Sequence, residues 1–193
     1  KYFSLKKSTY INLRWFAIIG QLITVNLIYF ILGLKFNLIL ENSIILIGVI
    51  SNLYLIYINK NTQLSDKTAF IFLLIDILQL SLLIYLTGGI TNPFSIFLII
   101  PSIFSSSNLG IKSNLLLVST TIMIIFFLTF FYQPLPYPIN ENFHVGSYYY
   151  YSLPTSLIIA LIFLNYFALT FGAESRIRKE ALNKMEVMMS KEH

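Results

Sequence analysis

The sequence predicts an all-α integral membrane domain of six transmembrane helices, with both termini in the cytoplasm and a charged helical tail. Three observations predict it. Of 193 residues, 56% are hydrophobic and only 11% are charged, whereas a soluble domain carries roughly a quarter charged residues. The apolar residues lie in long runs rather than in one stripe of helical period, which makes lipid the solvent and membrane lipid the first partner. Lysine and arginine are distributed asymmetrically between alternate loops.

The spans in chain order are Trp15–Leu34, Asn42–Ile58, Ala69–Leu86, Pro93–Leu109, Leu115–Tyr132 and Leu153–Phe171. Crossing the hydrocarbon takes about 20 apolar residues, with a range of roughly 17–25. The second and fourth spans are at the short limit. The fourth contains Pro101 and ends in Ser105-Ser106-Ser107-Asn108, so a kinked or re-entrant course is expected, tolerated where protein or a cavity lines it. Residues 1–14 then form a cytoplasmic N-terminal segment, 15–171 the membrane domain and 172–193 a cytoplasmic helix. With the N-terminus inside, twelve of thirteen basic residues, Arg14 among them, are cytoplasmic and only Lys35 is outside. That split supports an even number of spans. The outer segments are Phe36–Glu41, Gly88–Asn92 and Gln133–Ser152, the last carrying Glu141, His144 and an interfacial tyrosine run, Tyr148–Tyr151.

The first apolar run is a full span with no small-residue cleavage site after it, and reads as a retained helix. The chain begins at Lys1 and stops in a charged tail, as expected for part of a longer protein. The tail's Ile177, Ala181, Leu182, Met185, Met188 and Met189 fit two overlapping heptad frames, so a two-stranded coiled coil is expected only weakly. The isoelectric point near 9.3 does not imply nucleic acid, because the basic residues flank apolar runs. There are no cysteines, hence no disulfide or thiol-metal chemistry in this segment. His144 has no partner at metal-ligand spacing, no metal site is expected, and no catalytic motif is present.

Two places can carry chemistry. In Gly88-Gly89-Ile90-Thr91-Asn92-Pro93-Phe94 the glycines permit positive φ. Pro93 drives Asn92 out of the helical region. Asn92 is then an N-cap and Pro93 a first helical residue. Free amides at that helix start would offer hydrogen bonds to a carbonyl or anionic oxygen, and Phe94 could stack on a flat ring. The simpler alternative is a capped turn between two spans. The second place is Asp76, near the middle of the third span, with Gln79 on the same face. It reads as the only membrane-buried charge. It is either a ligand- or proton-linked site, or a hydrogen-bonding residue with Gln21, Asn26, Asn52 or Asn165 as partner.

These residues resemble the membrane domain of RegB/PrrB-type redox-responsive sensor histidine kinases. Gly88–Phe94 matches that family's GGxxNPF heptapeptide. Asp76, Gln79, Leu80 and Thr87 match its lead-in, and Arg14-Trp15 with Gly20-Gln21 matches its first span. The resemblance implies a six-span sensor in a bacterial inner membrane that binds ubiquinone near Gly88, Gly89, Asn92, Pro93 and Phe94. It implies a homodimer whose C-terminal signalling helix leads to a dimerisation and kinase region that uses ATP and a response regulator. His193 lacks the surroundings of a phosphoacceptor. The competing expectation is a small-molecule transporter or permease subunit built on Asp76, against which stands the absence of an internal repeat.

Overall fold

The computed structural model describes residues 5–58, 61–135 and 146–192. Among the described residues there are six α-helices: α1 (Lys7–Phe30), α2 (Leu38–Ile58), α3 (Asp66–Leu86), α4 (Ile100–Asn108), α5 (Ile111–Phe130) and α6 (Ser147–Glu192). A two-residue antiparallel pair, Leu5–Lys6 with Gln63–Leu64, ties the start of α1 to the α2–α3 connection. His144, Glu141, Lys60 and His193 lie outside the described residues.

Among the described residues five helices are long and apolar enough to cross a membrane. The fourth apolar segment is shorter, Pro93–Asn108. It opens as a 3-10 helix, Pro93–Ile99, and relaxes into α4. Pro101 causes no break, because it stands in the first turn of α4, where the missing N–H is an orphan in any case. The 3-10 start rises about 2.0 Å per residue against 1.5 Å in an α-helix, so a segment short in residues gains length.

Helix ends differ from the hydropathy windows. The helix α1 starts at Lys7, so residues 7–14, read as part of a cytoplasmic segment, are its first two turns. Arg14 is not a loop charge but is 4% exposed. Glu41, read as the end of an outer loop, is inside α2 and buried. Hydropathy finds the apolar centre of a span and says little about polar residues that are helical because a neighbour satisfies them. The last helix runs unbroken for 46 residues, about 69 Å at 1.5 Å per residue, so the sixth span and the tail are one rod.

In the bundle α1 packs on α2, α2 on α3, and α3 on both α4 and α5, while α4 packs against α5 and α6. Apolar cores fill the two ends, around Ile77 and Leu117 at one and Leu98 and Ile125 at the other. A large cavity lies between α1 and Pro93–Asn108, and at one end of it Tyr10 of α1 stacks on Phe104 of α4 at 5.9 Å.

Reporter fusions test the orientation. Fusions after Lys112 and in the α6 tail should read cytoplasmic, and those after Phe36 and Gln133 external. A cytoplasmic signal after Gln133 would refute the six-span arrangement.

Candidate functional site

Asp76 sits at the midpoint of α3 and meets a cation from α1. Arg14 Nη2 donates to Asp76 Oδ1 at 2.7 Å and Arg14 Nε reaches both carboxylate oxygens at 3.0 and 3.1 Å. The guanidinium also donates to Ser51 Oγ at 2.6 Å and Asn52 Oδ1 at 3.3 Å. The Tyr10 hydroxyl donates to Asp76 Oδ2 at 2.8 Å, and Phe72 lies under the guanidinium at 5.2 Å. A charge in a bundle interior is tolerated when paired and fully hydrogen-bonded, and this cluster meets that condition with residues from three helices.

The partners expected for Asp76 are therefore corrected. Gln21 instead accepts from Gln79 Nε2 at 2.8 Å, and Asn26 bonds Asn42 at 3.1 Å. Asn165 forms a reciprocal amide pair with Asn114 at 2.9 and 3.0 Å. Asn52 reaches Asp76 only through Arg14. The missed residue is Arg14, hidden because a basic residue before an apolar run is the ordinary signature of topology. Asp76 is also not the only charge inside the bundle: Arg14 and Glu41 are buried, while the Asp76 side chain is 25% exposed.

The heptapeptide folds as its residue types require. Gly88 and Gly89 have φ of +100° and +59°. A Cβ on Gly89 would lie 2.5 Å from Tyr132 Cβ and 2.7 Å from the Leu128 carbonyl oxygen, so the close approach of α5 also demands glycine. Gln133 locks the turn, donating to the Tyr85 carbonyl at 2.8 Å and accepting from Gly88 N–H at 3.0 Å. Asn92 caps the following helix: its Oδ1 accepts from Phe94 N–H at 2.9 Å, and its carbonyl accepts from Ser95 N–H at 2.9 Å. Its Nδ2 donates to the Thr87 carbonyl and hydroxyl at 3.0 and 2.8 Å. The free amides expected at this helix start are thus already used, and so is the Asn92 side chain. What the turn offers a ligand is the Pro93 ring and Phe94, which stacks on Phe97 at 6.1 Å.

One cavity of about 1020 Å³ joins these features. Gln21, Asp76, Gln79, Gly88, Asn92, Pro93 and Phe94 all line it, whereas Gly89 faces α5. Its walls are largely apolar and aromatic, and Phe16, Ile23, Phe97 and Ile100 among its lining residues are exposed. It is therefore a groove between α1 and Pro93–Asn108, open to the surroundings of the bundle. Its size suits a drug-sized ligand (pockets run roughly 300–1,000 Å³). No group of metal-binding side chains occurs among the described residues.

Residues 6–182 match the family model of the PilS-like transmembrane domain. Over 185 residues the chain is 28% identical to a sensor histidine kinase, RegB of Cereibacter sphaeroides, covering 95% of this chain and 40% of that protein. The chain thus spans about two fifths of the length of that curated relative. No solved structure matches it.

Two variants probe this geometry by unfolding in detergent. Asp76→Leu strands a buried guanidinium and should cost about 3–5 kcal/mol. Asp76→Asn should cost less, and Arg14→Leu with Asp76→Leu should recover part of the loss. Additive losses in the double variant would mean that the pair does not interact. Gly89→Ala should destabilise more than Gly88→Ala, because both strain the backbone by about 1–2 kcal/mol and Gly89 alone meets α5. Equal losses would remove the packing argument.

Proposed function

The chain belongs to the PilS-like transmembrane domain family and is a multi-pass protein of the bacterial inner membrane. From that premise we propose that it is the input domain of a two-component sensor histidine kinase, which binds ubiquinone in the groove beside the heptapeptide and relays the redox state of the quinone pool. The observation that carries this reading is the groove itself. It opens sideways between two lipid-facing helices, so a ligand dissolved in the bilayer enters without crossing water. Its Pro93–Asn108 wall presents Pro93, Phe94, Phe97, Pro101 and Phe104 to a flat ring.

The same wall connects to the output. On its other side Ser102 and Ser105 hydrogen-bond Asn114, which pairs with Asn165 of α6. A ligand that prefers one packing of Pro93–Asn108 biases the position of α6 by its differential affinity. The continuous helix α6 carries that bias into the tail. There Ile177, Leu182, Met185 and Met188 are exposed apolar residues on a charged helix, and a second copy of the chain is the partner that covers them, making a homodimer. ATP and the response regulator act at a kinase region of the parent protein, outside these residues.

Ubiquinone binding to the full chain in lipid nanodiscs tests the reading. Phe94→Ala removes a ring contact worth about 0.5–1.5 kcal/mol and should weaken binding roughly two- to tenfold, with the thermal transition unchanged. Wild-type protein that binds no quinone would refute the sensor proposal. Unchanged binding by Phe94→Ala would move the ring away from the heptapeptide.

A further inference from the structure

Glu41 is 1% exposed, and neither of its carboxyl oxygens has a hydrogen-bond partner. Among the described residues these are the only buried side-chain nitrogen or oxygen atoms left without one. A buried polar group without a partner is costly, and in a native structure it points to a missing one.

The ordinary reasons for such a residue do not apply. An acidic side chain in a first helical turn can accept from the free amides there. Asn37 already does that work: its side chain accepts from Leu40 N–H at 3.1 Å and its carbonyl from Glu41 N–H at 3.1 Å. Nor does a nearby cation neutralise the carboxyl, since Lys35 lies over the Tyr29 ring at 4.3 Å.

Glu41 instead lines the same groove as the heptapeptide. It is on the buried face of α2 that also carries Gly48 and Asn52. Gly48 backs onto Gln79 (a Cβ there would lie 3.6 Å from Gln79 Cδ), and Gln79 bonds Gln21. The α1–α2–α3 side of the groove is thus a polar stripe, from Glu41 through Gln21 and Gln79 to Arg14 and Asp76. The Pro93–Asn108 side supplies rings. Along that stripe Arg14, Asp76 and Gln79 are bonded to protein, and Asn92 is bonded across the turn.

We propose that Glu41 is the hydrogen-bonding anchor for a ring oxygen of the ligand in this groove, a deepening that rests on the quinone reading above. The neutral carboxyl donates its O–H to a carbonyl oxygen of the oxidised ring. Its carbonyl oxygen accepts from the hydroxyl of the reduced ring. The ring lies against Phe94 and Pro93, and its substituents extend along the groove toward lipid. No bond is made or broken in either mode.

The test uses the full chain in lipid nanodiscs with a short-tailed ubiquinone. Glu41→Leu should weaken binding of the oxidised form roughly tenfold or more, the loss of a buried hydrogen bond. The same change should hold or raise the unfolding temperature, because it removes an unpartnered polar group; a purely structural carboxyl would lower both together. Glu41→Gln keeps a donor and should bind within about threefold of wild type, well under one tenfold step. A second measurement needs no variant. Dicyclohexylcarbodiimide should label Glu41, and saturating ubiquinone should slow that labelling. Normal binding by Glu41→Leu alongside a loss in Phe94→Ala would overturn the anchor and leave the quinone site in place. Labelling unaffected by bound ubiquinone would overturn the anchor equally. No binding by the wild type would overturn both.

Discussion

The structure depends on one ion pair inside the bundle, buried Arg14 with the part-buried Asp76. Two opposite charges in an apolar bundle are each expensive to desolvate, and their attraction offsets that cost only when every remaining donor and lone pair is met. Here Tyr10, Ser51 and Asn52 complete the set, so α1, α2 and α3 are held at one depth and one rotation. A sliding or turning α1 would strand a charge, which specifies register more sharply than apolar packing does. This pinning also explains how α1 can leave a groove beside Pro93–Asn108: it is tied to its neighbours by polar contacts and meets α4 through Tyr10 on Phe104 at one end.

A second polar cluster does the equivalent work on the far side of the bundle. Asn114 and Asn165 exchange amide hydrogen bonds, and Ser102, Ser105 and Thr121 fill the remaining positions. Lipid tails are as apolar as leucine, so helix association in a membrane leans on such contacts and on close packing. The two polar clusters thus lie on either side of α3, which packs on both α4 and α5, and the groove runs between α1 and Pro93–Asn108, closed at one end by Tyr10 on Phe104. A site whose walls belong to both clusters is well placed to report a ligand as a change in their relation.

The heptapeptide closes one end of the groove by spending its own hydrogen bonds. Asn92 joins Thr87 to Phe94, and Gln133 joins the turn to Tyr85. That rigidity leaves the turn as a shaped apolar surface whose Asn92 side chain is already bonded. Polarity in the groove comes from α1, α2 and α3, so recognition of a ring and recognition of its oxygens fall to different parts of the chain.

The sequence by itself determined the features that local rules govern. The apolar runs set where helices cross lipid, because each backbone group must be satisfied within its own helix. The glycines set the positive φ of the turn, and Asn92 before Pro93 set the cap, because these are contacts within a few residues. Tertiary structure alone decided which side chains meet across the bundle. Arg14 looked like a topological charge until Asp76 was seen beside it, and Asn165 was a candidate for Asp76 until it faced Asn114. Gly89 shared a motif with Gly88 yet turned to α5. Glu41 read as a loop acid because nothing near it in sequence shows that it is buried. Those outcomes depend on helix rotation and depth, which are set by contacts tens of residues apart, and a one-dimensional pattern does not carry them.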